Sequence, residues 1–348
     1  MPRLQRLGRA APPSATGAAP GVTRCHRYHC PSPRGPLPRR GGPLAARVVS
    51  FWGKGGSGKS TLAAAAALAY SGLGLRVLAV STDPSPALGL LLCGAPAGPG
   101  GRRCGGVGVV EAGEEDVRRL WVERFGDEVY EVVSAFLPVD RWIVDYVAGA
   151  PGVADQYMLY LVYTLAAEAG YEVVVWDTAA AGGSLRLLRL EHELYRHLGD
   201  AARLYLRLRG SLERLRRGEA AKTPLELIEE WRRLAGEILG WLRGPRHRLV
   251  VVAQPDRLGL HVSRSLVEEF RLHGIEPWRL VANMVVDAGV CPACRPWLED
   301  ARMQEEALRG LGGLGVPLCR VPRLPSRPSS REGLEPLREA ILDCLGAP

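Results

Sequence analysis

Nine consecutive residues, Gly53-Lys54-Gly55-Gly56-Ser57-Gly58-Lys59-Ser60-Thr61, carry the strongest chemical signal in the chain. They satisfy the phosphate-loop pattern GxxxxGK[ST]. In that pattern glycines let backbone N–H groups turn inward on phosphates, and a lysine reaches the terminal phosphate oxygens. The context agrees with the pattern. Val48, Val49, Ser50, Phe51 and Trp52 read as a buried strand before the loop, and an alanine-rich helix from Lys59 to about Leu73 follows it. The helix N-terminus therefore adds partial positive charge where phosphate would sit. Lys59 is expected on the β and γ oxygens of ATP, and Ser60 on its Mg²⁺.

Two further carboxylates belong to the same chemistry. Asp83 ends the apolar run of a second strand in Ser81-Thr82-Asp83-Pro84, where it is placed to orient an attacking water. Asp177 ends Val173-Val174-Val175-Trp176-Asp177-Thr178, where it is placed like a Walker B carboxylate near Mg²⁺. The bland alternative for each is a helix N-cap. Lys54 is a departure from an ordinary phosphate loop, because it sits too early to serve its own site. Such a lysine resembles the signature of the deviant Walker A ATPases, in which it crosses a dimer interface to the partner's nucleotide. Of 45 basic side chains only Lys54, Lys59 and Lys222 are lysine, and Asn283 is the sole asparagine. In so arginine-biased a chain, two lysines in one loop mark positions where a planar guanidinium would crowd the glycines.

The elements that must hold these residues follow from the apolar pattern. β-branched runs at 76–82, 107–110, 172–177, 249–253 and 280–283 alternate with helical segments, which predicts an α/β fold with a doubly wound, mostly parallel sheet. Ligands of such sheets sit at the carboxyl ends of the strands, where the signals above cluster. Two segments, about 114–170 and 188–245, are longer than a crossover needs and read as helical insertions. One carries the stripe Leu204, Leu208, Leu212 and Leu215, and the other the apolar stretch Met158 to Leu165.

Residues 1–45 are rich in Arg, Pro and Gly without periodicity and read as a disordered extension, leaving 46–348 as the folded domain. That extension also fits a targeting segment or a mis-assigned start, and Cys25, His26, His29 and Cys30 are a loose metal-ligand set. Nine arginines and no acid fall within residues 1–47, so the rest holds 36 basic against 37 acidic side chains, and no nucleic-acid surface is expected. No apolar run is long enough to span a membrane. The scattered spacing of the eight cysteines predicts reduced thiols and a cytoplasmic protein. One pair, Cys291 and Cys294, is close enough for chemistry. Zinc in a structural site wants four ligands, so a symmetric homodimer sharing zinc across its axis would complete the set; two unrelated thiols are the alternative.

Taken together, GKGGSGKST, STDPSPALG, DTAAAGGSLRLL, VANM and CPAC, in this order, resemble the ArsA/Get family, which comprises arsenite-pump ATPases and the ATPases that deliver tail-anchored membrane proteins. The resemblance covers about Val48 to Leu345 and implies a SIMIBI-type P-loop NTPase that hydrolyses ATP as a dimer. It implies a switch I carboxylate at Asp83, switch II from Asp177 to Leu188, and an adenine contact at Asn283. It also implies an adenine-side loop around Pro322 and Arg323. The chain departs from the family at Pro86 and Ala87 in switch I and at Ala180, Ala181 and Gly183 in switch II, where polar contacts are lost. The Get-like branch implies coupling of closure to a hydrophobic client or a membrane-associated partner. Two alternatives stay open: an arsenite-transporting ATPase subunit, and an iron–sulfur cluster carrier on a similar scaffold with a late CPxC.

Overall fold

The computed structural model describes residues 46–83, 85, 87–168, 170–179, 193–204, 206 and 222–348. An eight-stranded sheet organises them: β1 (Arg47–Gly53), β2 (Val77–Ser81), β3 (Arg102–Cys104), β4 (Val107–Glu111), β5 (Val173–Asp177), β6 (His247–Ala253), β7 (Arg279–Val285) and β8 (Leu318–Pro322). Their order is β3-β4-β2-β5-β1-β6-β7-β8. Every neighbouring pair is parallel except β3 with β4, which is antiparallel at the edge. The expected doubly wound sheet is therefore present. The pattern missed its two edges, because Arg102–Cys104 is three residues long and Leu318–Pro322 is half exposed, so neither carries a full apolar run.

Nine labelled helices cover the sheet among the described residues: α1 (Lys59–Gly72), α2 (Leu88–Cys93), α3 (Glu114–Ser134), α4 (Trp142–Ala148), α5 (Val153–Glu168), α6 (Pro224–Leu242), α7 (Arg257–Leu272), α8 (Arg295–Gly312) and α9 (Glu335–Leu345). Residues 193–204 are also helical. Alternation along the strands divides the core in two. In β1, Val49 and Phe51 face the layer of α1, α2 and α9, whereas Val48 and Trp52 face the larger layer built on α3 to α8. Ala63 to Ala67 of α1 are all buried, and five small side chains in a row let this helix lie close on the strands. α5 is buried nearly all round, as Met158–Leu165 predicts, while α6 starts at a capping box formed by Thr223 and Glu226 with Pro224 in its first turn. Leu204 is half exposed; Leu208, Leu212 and Leu215 lie outside the described residues.

Because the strands run parallel, their carboxyl ends form one rim. Register sets its geometry: Phe51 and Ser81 both pair with Asp177, so the ends of β1, β2 and β5 stand level. This rim holds Gly53, Asp83 and Asp177, and further along it Asn283.

Candidate nucleotide site

The loop from Gly53 returns into α1 through Gly58, whose φ of 92° is left-handed and suits glycine. α1 has no side-chain cap and no acidic residue in its first turn. Its first backbone N–H groups are thus left to an anion, and the helix dipole favours one. The buried Lys59 ammonium donates to the carbonyl oxygen of Lys54 at 3.3 Å. Burial lowers its pKa, opposed by the nearby carboxylates of Asp177 and Asp83, so the three groups share one electrostatic neighbourhood. The Lys54 side chain is half-buried and makes no ion pair or hydrogen bond with another described residue.

Asp177 is completely buried. Desolvation pushes its carboxyl up to about 7; the Ser60 hydroxyl and the Lys59 ammonium oppose that shift, Asp83 adds to it, and Ser81 opposes it. Ser81 Oγ donates to Oδ2 at 3.3 Å, whereas Oδ1 has no hydrogen-bond partner among the described residues. An orphaned buried carboxylate oxygen beside a serine hydroxyl is the incomplete oxygen set that Mg²⁺ completes with water and phosphate, so Ser60 and Asp177 fit that ion. Asp83 is half-buried, and its Oδ1 accepts from the Ser85 backbone at 2.9 Å. Thr178 locks the rim by donating from Oγ1 to Phe51 O at 2.7 Å. Ala180, Ala181 and Gly183, where the chain departs from the family's switch II, lie outside the described residues, as do Pro86 and the cluster Cys25, His26, His29 and Cys30.

At the end of β7, Asn283 is buried and donates from Nδ2 to Ser57 O at 2.8 Å. The nitrogen must face that carbonyl, since two oxygens would repel. The next residue, Met284, is the one non-glycine among the described residues with positive φ (61°), and the β7–β8 register shifts between Ala282 and Val285. Pro322 ends β8, so half of the expected adenine-side loop is strand. Arg323 N donates to Val285 O at 2.9 Å, while its guanidinium bonds Asp300 at 3.1 Å and lies over Trp297. Gln304, which no motif signalled, bonds the backbone on both sides of Val285.

The expectation of reduced thiols is corrected. Cys93 with Cys104, Cys291 with Cys294, and Cys319 with Cys344 are joined as disulfides. Sequence spacing hid two of the pairs because the fold makes them: Cys93 ends α2 beside the edge strand bearing Cys104, and Cys319 of β8 meets Cys344 of α9. Cys291 and Cys294 both precede α8, Cys294 as its N-cap, and no cluster of three or more His, Cys, Asp or Glu that would hold a metal ion occurs among the described residues.

A parallel sheet with a phosphate loop after its central strand, a buried lysine and an acidic rim defines a P-loop ATPase. The chain belongs to the ArsA family described as anion-transporting ATPases, which it matches over residues 46–92 and 110–312, and it is an ATP-hydrolysing enzyme. It is similar to an ATPase GET3 of Ajellomyces dermatitidis, 24% identical over 313 residues, which span 85% of this chain and 90% of that one. It is similar also to a putative arsenical pump-driving ATPase 1 of Aquifex aeolicus, 24% identical over 316 residues, spanning 85% of this chain and 78% of that one.

Proposed function

We propose that the protein is a Mg²⁺-dependent, homodimeric ATPase in which two copies close face to face on ATP, with closure coupled to holding a hydrophobic client. The observation that carries the reading is Lys54. Lys59 already serves its own loop, and the Lys54 ammonium has no ion-pair or hydrogen-bond partner among the described residues. A second cation on the rim has a use if it reaches the partner's phosphates, where it neutralises developing charge as an arginine finger does. Within each site Lys59 binds the phosphates, Ser60 and Asp177 hold Mg²⁺, and Asp83 orients the water. Mg²⁺, when bound, supplies charge neutralisation on the phosphate oxygens.

In this reading residues 46–348 form the ATPase domain, and the helical segments at about 114–170 and 188–245 are its client-facing insertions. A cavity of about 220 Å³ lined by Trp121, Phe125, Tyr157, Trp231, Leu194 and Ile238 supports an apolar client, such as a tail-anchored membrane protein. No described helix is long and apolar enough to cross a membrane. Zinc across the dimer axis would require the Cys291–Cys294 disulfide to be reduced to two thiolates first.

The test mixes two inactive chains. Lys54→Ala and Lys59→Ala are each expected to lose hydrolysis, and mixing them restores it, because a mixed dimer has one site with both lysines. No restoration, together with a wild-type monomer by light scattering in ATP and Mg²⁺, would remove the two-subunit mechanism. Zinc is assayed in parallel on wild type and on Cys291→Ser/Cys294→Ser, where loss of both metal and dimer supports the shared site. The arsenical-pump name of one relative motivates a second reading, which requires that arsenite raise the ATPase rate. A flat response at saturating arsenite removes it.

A further inference from the structure

Asn283 reaches Ser57 because the chain kinks immediately after it. Met284 holds a left-handed backbone, which is strained for a residue with a side chain and persists only when its surroundings impose it. The surroundings are specific. Gln304, on α8, spends its whole side-chain amide on the kink: Val286 N donates to Oε1 at 2.8 Å, and Nε2 donates to Met284 O at 3.2 Å. Gln254 at the end of β6 adds a bond from Nε2 to Met284 Sδ at 3.2 Å, and Arg323 N closes the other side on Val285 O.

Asn283 is in turn committed. Its nitrogen gives one of its two N–H groups to Ser57 O inside the phosphate loop, which sets the flip of the amide and leaves the carbonyl oxygen at its other end as an acceptor. An acceptor suits the exocyclic amino group of adenine and repels the 6-oxo group of guanine. One amide thereby ties the loop that holds phosphate to the recognition of the base.

We infer that Gln304 is a positioning residue that sets purine preference. By clamping the Met284 kink, it fixes which end of the Asn283 amide faces the phosphate loop and which faces the base. The inference rests on the reading that Asn283 contacts adenine, and it adds a residue that touches neither base nor phosphate. Two hydrogen bonds, Gln304 Nε2 to Met284 O and Asn283 Nδ2 to Ser57 O, thus link the middle of α8 to the phosphate loop.

The experiment measures KM and kcat with ATP and with GTP for wild type, Asn283→Ala, Gln304→Leu and Gln304→Glu, with melting temperatures alongside. Gln304→Glu keeps size and the bond from Val286 N but sets a carboxylate oxygen against Met284 O, so it guards against a Leu variant that fails to fold. The expected result is a rise of about tenfold in KM for ATP in the Gln304 variants, the effect of losing one buried hydrogen bond. The ATP preference over GTP shrinks with it, and kcat stays near wild type. If Asn283→Ala loses the preference while both Gln304 variants keep it, the inference about Gln304 is overturned and the base contact stands. If Asn283→Ala keeps the preference, the base reading fails and this inference falls with it.

Discussion

The side-chain nitrogen of Asn283 fills the space that a side chain at residue 58 would need: a Cβ built on Gly58 would lie 2.2 Å from it. Gly58 is therefore demanded twice, by its left-handed φ and by the asparagine that props the loop from below. Gly56 separates the two demands, since its φ of 77° is also positive but a Cβ there would meet nothing within 4 Å. Gly56→Ala is expected to cost about 1 kcal/mol of stability, the penalty of a left-handed alanine. Gly58→Ala displaces Asn283 as well and is expected to abolish ATP binding. Calorimetric titration of ATP into both variants checks this, and equal affinities would contradict it.

Asp177 is expected to trade stability against activity. Its carboxyl titrates at about 7 in the fold against 3.8 as an ordinary aspartate. Between those values the folded state binds a proton that the unfolded chain does not, so this group's contribution falls as pH rises from about 4 to about 7. Above that, the protein bears the full cost of a buried charge. Asp177→Asn removes it, and should raise stability at pH 8 by on the order of 2 to 4 kcal/mol while Mg²⁺-dependent hydrolysis is lost. Urea unfolding at pH 8 without nucleotide is the check, and a destabilised Asn variant would show that Lys59 and Ser60 already compensate the charge.

How much of this was legible in the sequence depends on whether a feature is local. The phosphate loop, the strands ending at Ser81, Asp177 and Ala253, and the buried helix α5 are periodic or contiguous patterns, and the structure places them as read. The loop–strand contact between Ser57 and Asn283 spans 226 residues, so no spacing rule reaches it. The sequence marked Asn283 by rarity and family resemblance, yet did not show that its nitrogen serves the loop. Gln304 gave no signal, because a glutamine on a helix with exposed neighbours looks like solvated surface until β7 kinks toward it. The cysteine pairs failed for the same reason, since Cys319 and Cys344 meet only once α9 has folded onto β8.

His247 predicts a second pH effect of opposite sign. It is buried, with Nδ1 on Leu242 O at 2.8 Å and Nε2 on Ser50 Oγ at 2.7 Å, while the Trp52 indole donates to the same Oγ at 2.6 Å. Burial holds its pKa down at about 4 against 6.5. Here the unfolded chain binds the extra proton, so this contribution is whole above 6.5 and is lost as pH falls toward about 4. Across that window Asp177 and His247 oppose each other, and the wild-type stability profile should be nearly flat between pH 4.5 and 6.5 in the share these two groups supply. Asp177→Asn should uncover a profile that rises with pH, and His247→Gln one that falls. Unfolding curves of the two variants over this range test the pair, and identical slopes would refute the assignment.

Glu111 is expected to act on turnover from outside the site. It ends β4 almost fully buried, and its two oxygens accept from Gly89 N at 2.7 Å and Ala97 N at 2.8 Å. Gly89 lies in the first turn of α2, the helix that follows the Asp83 segment, and the Cys93–Cys104 disulfide holds the other end of the same helix. A carboxylate that accepts from Gly89 N at the start of α2 and from Ala97 N in the loop after it holds the helix from both sides, and so fixes where the preceding segment must end and with it the reach of Asp83. Glu111→Ala leaves one buried N–H, that of Gly89, and one partly buried N–H, that of Ala97, without their acceptor and should cost about 1 to 3 kcal/mol. If α2 sets the position of Asp83, kcat falls while the KM for ATP, which depends on the loop after β1, stays near wild type. A variant that loses stability and keeps its kcat would make Glu111 a support of the sheet edge and leave Asp83 to be positioned by its own bond to Ser85.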